Sequence, residues 1–496
     1  MKTIKRLFVS LTLVVCILGS SFAQINKSDL KILYVGVNPD KEMTEKEKQR
    51  VANPERMAAL IKTRTSDYEA FLKQYFNSVD VVYSEDYKEG QSANYDVTII
   101  DDYLPSISGG WIEDPETGER TYEMPRYLTE DFNHATLMIG EPSAYIGQGR
   151  QLKIDHLCLC LDAHAHGMKL EHPIFHKPYQ VSVSYEDIKT PGNYKVRYGG
   201  RDLGDTMPMW RIQTEGYEDG KGFPVGLVST GYGFDNGIDA EQISNGKCAK
   251  GVEATAIGRH ANFFHWGFAA APEYMTESAK LTLINSIHYI AQFKGAKQVT
   301  KKIKGTNLRL YMREQQWTLS DEGWARWEHY LNKGIPKAKE RKKEIQAKKD
   351  AGEALDEMEK MILQMPIKKE TREWTIRREP EELKKKFGED WAAYENYYKE
   401  NMDYFYALEG EWYKSAVDED AKALGIANSD IKLLETALKM LKDDEQAAIA
   451  QGILTRYTTE SFETAGEWKK WYKQNRKNLY FSEGDCFKWI VLPKGN

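Results

Sequence analysis

Between residues 29 and about 295 the chain alternates short runs rich in β-branched residues with longer segments whose apolar residues recur at helical spacing. That alternation calls for an α/β domain, a parallel sheet with helices over both faces. Residues 30–37, 79–84, 95–101 and 135–140 read as strands, each running out into Gly, Asn, Asp or Ser. Their continuous apolar character suits strands buried on both sides. Asn53 as cap and Pro54 at the first helical position announce a helix that carries Met57, Leu60, Ile61, Tyr68, Phe71, Leu72 and Tyr75 on its spacing. It would return the chain to the strand at Val79 as a βαβ unit. A β-rich insertion over 178–216 follows. Residues 224–229 and 254–266 then resume the main pattern, and a last helix over 272–294 stops at Gly295.

The first 23 residues differ in kind. Lys2, Lys5 and Arg6 form a basic start, residues 7–18 an apolar stretch, and Ser21-Phe22-Ala23 a small-x-small cleavage sequence. This is the pattern of a secretory signal peptide, and it predicts a protein of the periplasm or exterior whose mature chain starts at Gln24. A lipid anchor on Cys16 is disfavoured, because Val14 and Val15 stand where such signals need small residues. No later segment reaches the ~18 consecutive apolar residues of a membrane span. With 75 acidic against 69 basic residues there is no broad positive face for a phosphate backbone, so nucleic acid is not an expected partner. Cys158, Cys160, Cys248 and Cys486 are too dispersed for a dense disulfide framework, although one pair could bridge.

The composition changes beyond residue 298, where strand signals thin out and charged helical stretches take over. Residues 337–349 read as a solvated helix, and 430–441 with 443–455 as an antiparallel helical pair. The expected organisation is a signal peptide over 1–23, an α/β domain over 24–297, a helical linker region over 298–420 and a helical region over 421–496. Trp391, Tyr394, Tyr397, Tyr398, Tyr404, Phe405, Trp412 and Tyr413 could stack on sugar rings, but at this spacing aromatics more often form core.

Nine of the ten histidines lie between His134 and His288, so histidine chemistry belongs to the α/β domain. In such folds the ligand crevice lies outside the carboxyl ends of the strands. Three stretches qualify. Glu141 and Ser143 follow the fourth strand in Gly140-Glu141-Pro142-Ser143, at a turn that can expose a nucleophile; the plainer reading is Ser143 as a helix cap. His156, Cys160 and His164 would share one face if residues 154–166 form a helix, which keeps a soft metal site open. The helix is the preferred reading over a strand. His265 would emerge at the carboxyl end of a strand spanning 259–267. Tyr232, Asp235, Asp239 and Glu241 lie in a preceding loop within reach of that edge, and Asp102 and His260 complete the candidate ligand-binding set. A carboxylate near His265 would equip it for acid-base work.

The stretch from Gly258 to Phe268, with Pro272-Glu-Tyr-Met-Thr276 and Asn285-Ser-Ile-His-Tyr-Ile290, resembles the closing strand and helix of the class I glutamine amidotransferase-like fold, a flavodoxin-like arrangement. Together with His172-Pro-Ile-Phe175 and the opening strand, it is most similar to the ThuA-like (trehalose-utilisation) branch over residues 29–295. In amidotransferases a cysteine occupies the elbow and a histidine ends a later strand; His265 resembles that histidine, whereas the elbow holds Glu141-Pro142-Ser143 and no cysteine. The resemblance implies an association with sugar metabolism and no amidotransferase activity. Arg456-Tyr-Thr458, Phe462 and Trp468 through Leu479 resemble the tail of HEAT-like helical repeats.

The expectation is an exported domain that binds a small polar ligand, a carbohydrate by resemblance, at the carboxyl edge of its sheet, without a cofactor. The helical region would serve as a protein-partner surface. The competing expectations are a hydrolase, metal-assisted in one form, using His265 with Glu141 or Ser143, and a scaffold without a small-molecule site.

Overall fold

The computed structural model describes residues 26–493 apart from 50, 52, 155–157, 220–224, 232, 235 and 236. Residues 1–23, read as a signal peptide, and His156, Tyr232 and Asp235 therefore lie outside the described residues.

Sixteen strands are described: β1 (Ser28–Gly36), β2 (Phe76–Tyr83), β3 (Val97–Ile100), β4 (Ser108–Glu113), β5 (Arg120–Arg126), β6 (Thr136–Ile139), β7 (Leu161–His166), β8 (Tyr185–Lys189), β9 (Thr206–Arg211), β10 (Ala240–Cys248), β11 (Thr255–His260), β12 (Phe263–Trp266), β13 (Phe405–Ala407), β14 (Ser415–Val417), β15 (Leu479–Ser482) and β16 (Lys488–Val491). Ten of them form one sheet in the order β2-β1-β3-β6-β12-β11-β10-β7-β9-β8. Neighbours from β2 to β12 are parallel, and those from β12 to β8 antiparallel. The sheet is thus mixed, where an all-parallel one was expected. The reversal lies in residues 259–267, read above as one strand. They form a hairpin instead, turned by Ala261 at φ +50° beside Asn262.

Alternation along the strands shows how the sheet is covered. Ile32, Tyr34, Val97, Ile99, Leu137, Ile139, Phe264 and Trp266 join one buried cluster. Their neighbours Leu33, Val35, Ile100, Met138 and Phe263 join another on the opposite face. Successive side chains point to opposite faces, so two clusters on alternate residues mean that both faces are buried. Within the α/β part the helices are α1 (Glu45–Lys48), α2 (Pro54–Leu72), α3 (Pro142–Gly149), α4 (Gly192–Lys195) and α5 (Glu277–Ala291). Tyr68, Phe71 and Leu72 of α2 and Leu283, Ile284 and Ile287 of α5 fill the first cluster, and Ile146 of α3 the second. Helix α2 starts as its sequence dictates, with Asn53 accepting from the Arg56 amide and Pro54 in the first turn.

Residues 161–166 correct a second expectation. The helix expected there is strand β7, set between β10 and β9, and all six of its residues are buried. Its sequence, Leu-Asp-Ala-His-Ala-His, alternates as a strand does, but Ile154, Leu157, Cys158, Leu161 and Ala165 also recur at helical spacing, so the sequence carries both periods and the pairing with β10 and β9 decides between them.

The chain continues through α6 (Arg309–Leu319), α7 (Asp321–Asn332), α8 (Ile335–Asp350), α9 (Glu357–Gln364), α10 (Glu381–Phe387), α11 (Trp391–Asn401), α12 (Glu419–Leu424), α13 (Lys432–Met440), α14 (Ala447–Tyr457) and α15 (Ala465–Asn475). One core here joins Met312, Phe405 and Ala407 to Leu433, Leu434, Ile453, Leu454, Trp468 and Phe487. Tyr394 and Phe405 are core, whereas Trp412 and Tyr413 stand exposed. The solvated reading of α8 holds, with Ile345 its one buried residue. The helical region sits against the α/β domain. Trp317 donates to the Val196 carbonyl at 2.8 Å, and Lys301 and Lys302 donate to Asp485 and to the Gln151 carbonyl. No helix among the described residues is long and apolar enough to cross a membrane.

Candidate functional site

Strands β1, β3, β6 and β12 run in one direction, so their carboxyl ends share an edge. At the end of β3 stand Asp101 and Asp102. Asp101 is buried and receives Arg64 of α2 in a bidentate pair, Nε to Oδ2 at 2.7 Å and Nη2 to Oδ1 at 2.6 Å, with the Tyr34 hydroxyl as a third donor. Arg64 also donates to the Ala269 carbonyl at 2.8 Å, which ties α2 to the chain leaving β12. Burial pushes the Asp101 carboxyl up while the guanidinium pulls it down. Asp102 accepts from Ser84 Oγ at 2.7 Å and lies 3.7 Å from Lys41.

Next along the edge, β6 ends at Gly140, whose φ of +65° turns the chain into α3. A Cβ built there would come 3.0 Å from Ala269 Cβ, so the turn has room for hydrogen and little else. Glu141 occupies the N-cap position of α3 without a side-chain capping bond. Burial and the nearby charge of Asp102 raise its carboxyl above the ordinary range. Tyr145 follows one turn later on α3. The Tyr145 ring meets Tyr103 at 4.7 Å and Tyr127 at 6.1 Å between centroids, and Tyr103 and Tyr145 are exposed.

Ser143 and His265 do meet. Ser143 Oγ lies 2.8 Å from His265 Nδ1, because the alternation of β12 turns His265 toward the face covered by α3. Both side chains are 0% exposed. The second ring nitrogen, Nε2, has no hydrogen-bond partner, and a Cβ added at Gly267 would sit only 3.0 Å from it. Burial drives the imidazole down to about 4, so the ring is neutral at neutral pH. The contact has the spacing of a nucleophile and its base but is closed to a substrate.

The remaining candidates lie elsewhere. Strand β11 runs against β12, so His260, paired with Ala240 of β10, sits at the amino end of β12, across the sheet from Glu141. There it accepts from the Lys153 amide at 2.9 Å and lies 3.4 Å from Asp239, which receives the Val299 and Thr300 amides. Glu241 is taken up by Arg259, His172 and Tyr289. The expected convergence of this loop on His265 does not occur, because the hairpin at Ala261 carries the two histidines to opposite edges. Cys160 and His164 also diverge. His164 faces Glu186 at 3.4 Å, whereas the Cys160 thiol meets Cys158 and Cys248. Among the described residues no group of three or more His, Cys, Asp or Glu could hold a metal ion.

Sequence reasoning placed Asp102 and Glu141 at this edge but missed Arg64, Tyr34 and the three tyrosines. Arg64 sits among apolar helix positions with nothing local to distinguish it, and Tyr103, Tyr127 and Tyr145 come from separate segments. Comparison of the chain with protein-family models, with curated proteins and with solved structures finds no match in any of the three.

Proposed function

We propose that the α/β part is a ThuA-like, class I glutamine amidotransferase-like domain of an exported protein, and that it binds a small carbohydrate at the carboxyl edge of its sheet without amidotransferase chemistry. The order β2-β1-β3-β6-β12 of the parallel strands supports the flavodoxin-like part of this reading. The observation that carries the ligand is Glu141, a half-buried carboxyl without a capping bond near Asp102, with Tyr103 and Tyr145, in edge contact, on the two segments that hold these carboxyls. Carboxylates accept from adjacent sugar hydroxyls, and tyrosine faces cover the apolar C–H side of a ring, so the combination matches a polyol better than an anion. The helical region would present a surface to a protein partner.

The test is isothermal calorimetry of the full chain against a panel of mono- and disaccharides, repeated with Glu141→Gln and Asp102→Asn. A saturable sugar whose affinity falls at least tenfold in both variants supports the site. Binding that ignores both changes removes it. A hydrolase is the reading that the Ser143–His265 contact favours; it requires turnover of an ester or glycoside that Ser143→Ala abolishes.

A further inference from the structure

Outside this edge, the antiparallel half of the sheet brings Cys248 to the neighbouring pair Cys158 and Cys160. Cys248 ends β10 directly opposite Leu161 of β7, which puts it beside Cys160, the residue before Leu161. Cys158 is held two residues earlier by a bridge to Val228. Cys160 therefore stands in a row between Cys158, two residues before it, and Cys248 across the strand pair, and its thiol interacts with both. All three are free, Cys160 and Cys248 buried and Cys158 half-buried. The row is accessible at one end only. The inner end is fixed, since the Tyr194 hydroxyl accepts from the Cys248 amide at 3.0 Å and donates to the Gly246 carbonyl at 3.1 Å, while Cys248 Sγ lies 3.6 Å from the Gly251 carbonyl.

We propose that Cys158, Cys160 and Cys248 form a thiol relay that takes up a disulfide from a small disulfide oxidant at Cys158 and stores it as a buried Cys160–Cys248 bond. The order follows from access and contact. The Cys158 thiolate attacks one sulfur of the oxidant RSSR, forming a mixed disulfide and releasing RS⁻. Cys160 attacks the Cys158 sulfur and expels the second RS⁻. Cys248 then attacks the Cys160 sulfur and returns Cys158 as a thiolate. The net change is RSSR plus two cysteine thiols giving one protein disulfide and two RSH, with two electrons passing to the oxidant and the protons of Cys160 and Cys248 to its thiolates. Interaction with Cys158 and Cys248, together with burial, pushes the Cys160 thiol up, so it holds its proton until Cys158 has been consumed by the oxidant. The Cys160 thiol and Lys250 lower the Cys158 thiol, and Cys160, the Gly251 and Lys250 backbone and Tyr194 lower the Cys248 thiol, so both ends of the row have raised thiolate character. The disulfide would clamp β7 to β10 and close a loop of nearly ninety residues, which favours its persistence.

The experiment takes the reduced chain from Gln24 onward, which holds four cysteines, exposes it to glutathione disulfide, quenches with acid, alkylates after unfolding and maps peptides by mass spectrometry without reduction. The expected product joins Cys160 to Cys248, is lighter by two hydrogens, and leaves Cys158 and Cys486 alkylated; Cys486 lies in the separate helical core and is the internal control. Cys158→Ser should slow the reaction at least tenfold and give the same product. Cys160→Ala should stop it at a glutathione adduct on Cys158. Alkylation of all three thiols in the wild-type chain, a linkage through Cys486, or an unchanged rate in Cys158→Ser would overturn the relay. The first two outcomes need no variant to fold.

Discussion

Replacing His265 by Asn gives a quantitative test of how the edge of the sheet is built. The asparagine side chain can still meet Ser143 Oγ from the position of Nδ1 but cannot titrate. In the native fold burial holds the imidazole at about 4, against 6.5 for an ordinary histidine. The folded value is the lower one, so between these limits the unfolded chain binds more protons and stability falls as the pH drops through about 6.5 toward 4. For a single site with these two values, the wild type loses about 2 kcal/mol more between pH 7 and pH 4.5 than a protein lacking the group. His265→Asn removes that increment. It also carries a constant cost of about 1–3 kcal/mol for disturbed packing at a fully enclosed position. The assay is urea denaturation of both proteins at the two pH values, read as a difference of differences so that carboxylate titrations cancel. The destabilisation by the variant should shrink by about 2 kcal/mol on going to pH 4.5. An equal destabilisation at both pH values would show that the ring titrates in the fold as it does in the unfolded chain and takes up its proton by pH 4.5. A protonated His265 in a water-filled site would revive the acid-base role that its burial argues against.

Three further outcomes follow from the same geometry. Arg64→Ala strands the buried Asp101 carboxylate and should cost about 3–5 kcal/mol in denaturant unfolding, whereas Arg64→Met with Asp101→Asn should cost clearly less than the sum of the single changes. Burial lowers the Lys153 ammonium to about 8, with Asp485 and Asp239 pulling the other way; the folded value again lies below the unfolded one, so stability should climb by about 3 kcal/mol as the pH rises from 8 to 10.5, and Lys153→Met should abolish that climb. Tyr145→Ala should lower affinity for any sugar that binds the carboxyl edge about tenfold while moving stability by less than about 1 kcal/mol, since the ring is partly in solvent; an unchanged affinity would detach the aromatic cluster from the site.

Local rules made part of this molecule legible before any coordinates. Asn53 and Pro54 start α2 because a capping oxygen and a preset φ act over three residues, and both signals lie in the sequence. Strands β1, β2, β3 and β6 are legible for a similar reason, since β-branched apolar runs closed by turn residues need no partner to be recognised. Asp102 and Glu141 follow from one topological rule, that residues just past parallel strands line the crevice.

What the sequence determined alone is therefore the alternation of strands and helices in the first part of the chain, the helical character of the remainder, and the carboxylates that end β3 and begin α3. Tertiary structure decided the rest. Leu161–His166 is a strand because β9 and β10 pair along its two edges; its own sequence alternates like a strand and also fits a helical stripe begun at Ile154, so it does not choose by itself. The turn at Ala261, a residue with no intrinsic preference for positive φ, sends His260 and His265 to opposite edges and breaks up a site that looked continuous along the chain. Arg64 reaches Asp101, Tyr145 reaches Tyr103, and Cys160 reaches Cys248 only through pairings between segments tens of residues apart. Such contacts depend on strand order and register, which are set by how the whole chain buries its apolar surface, and no local stretch of sequence encodes that choice.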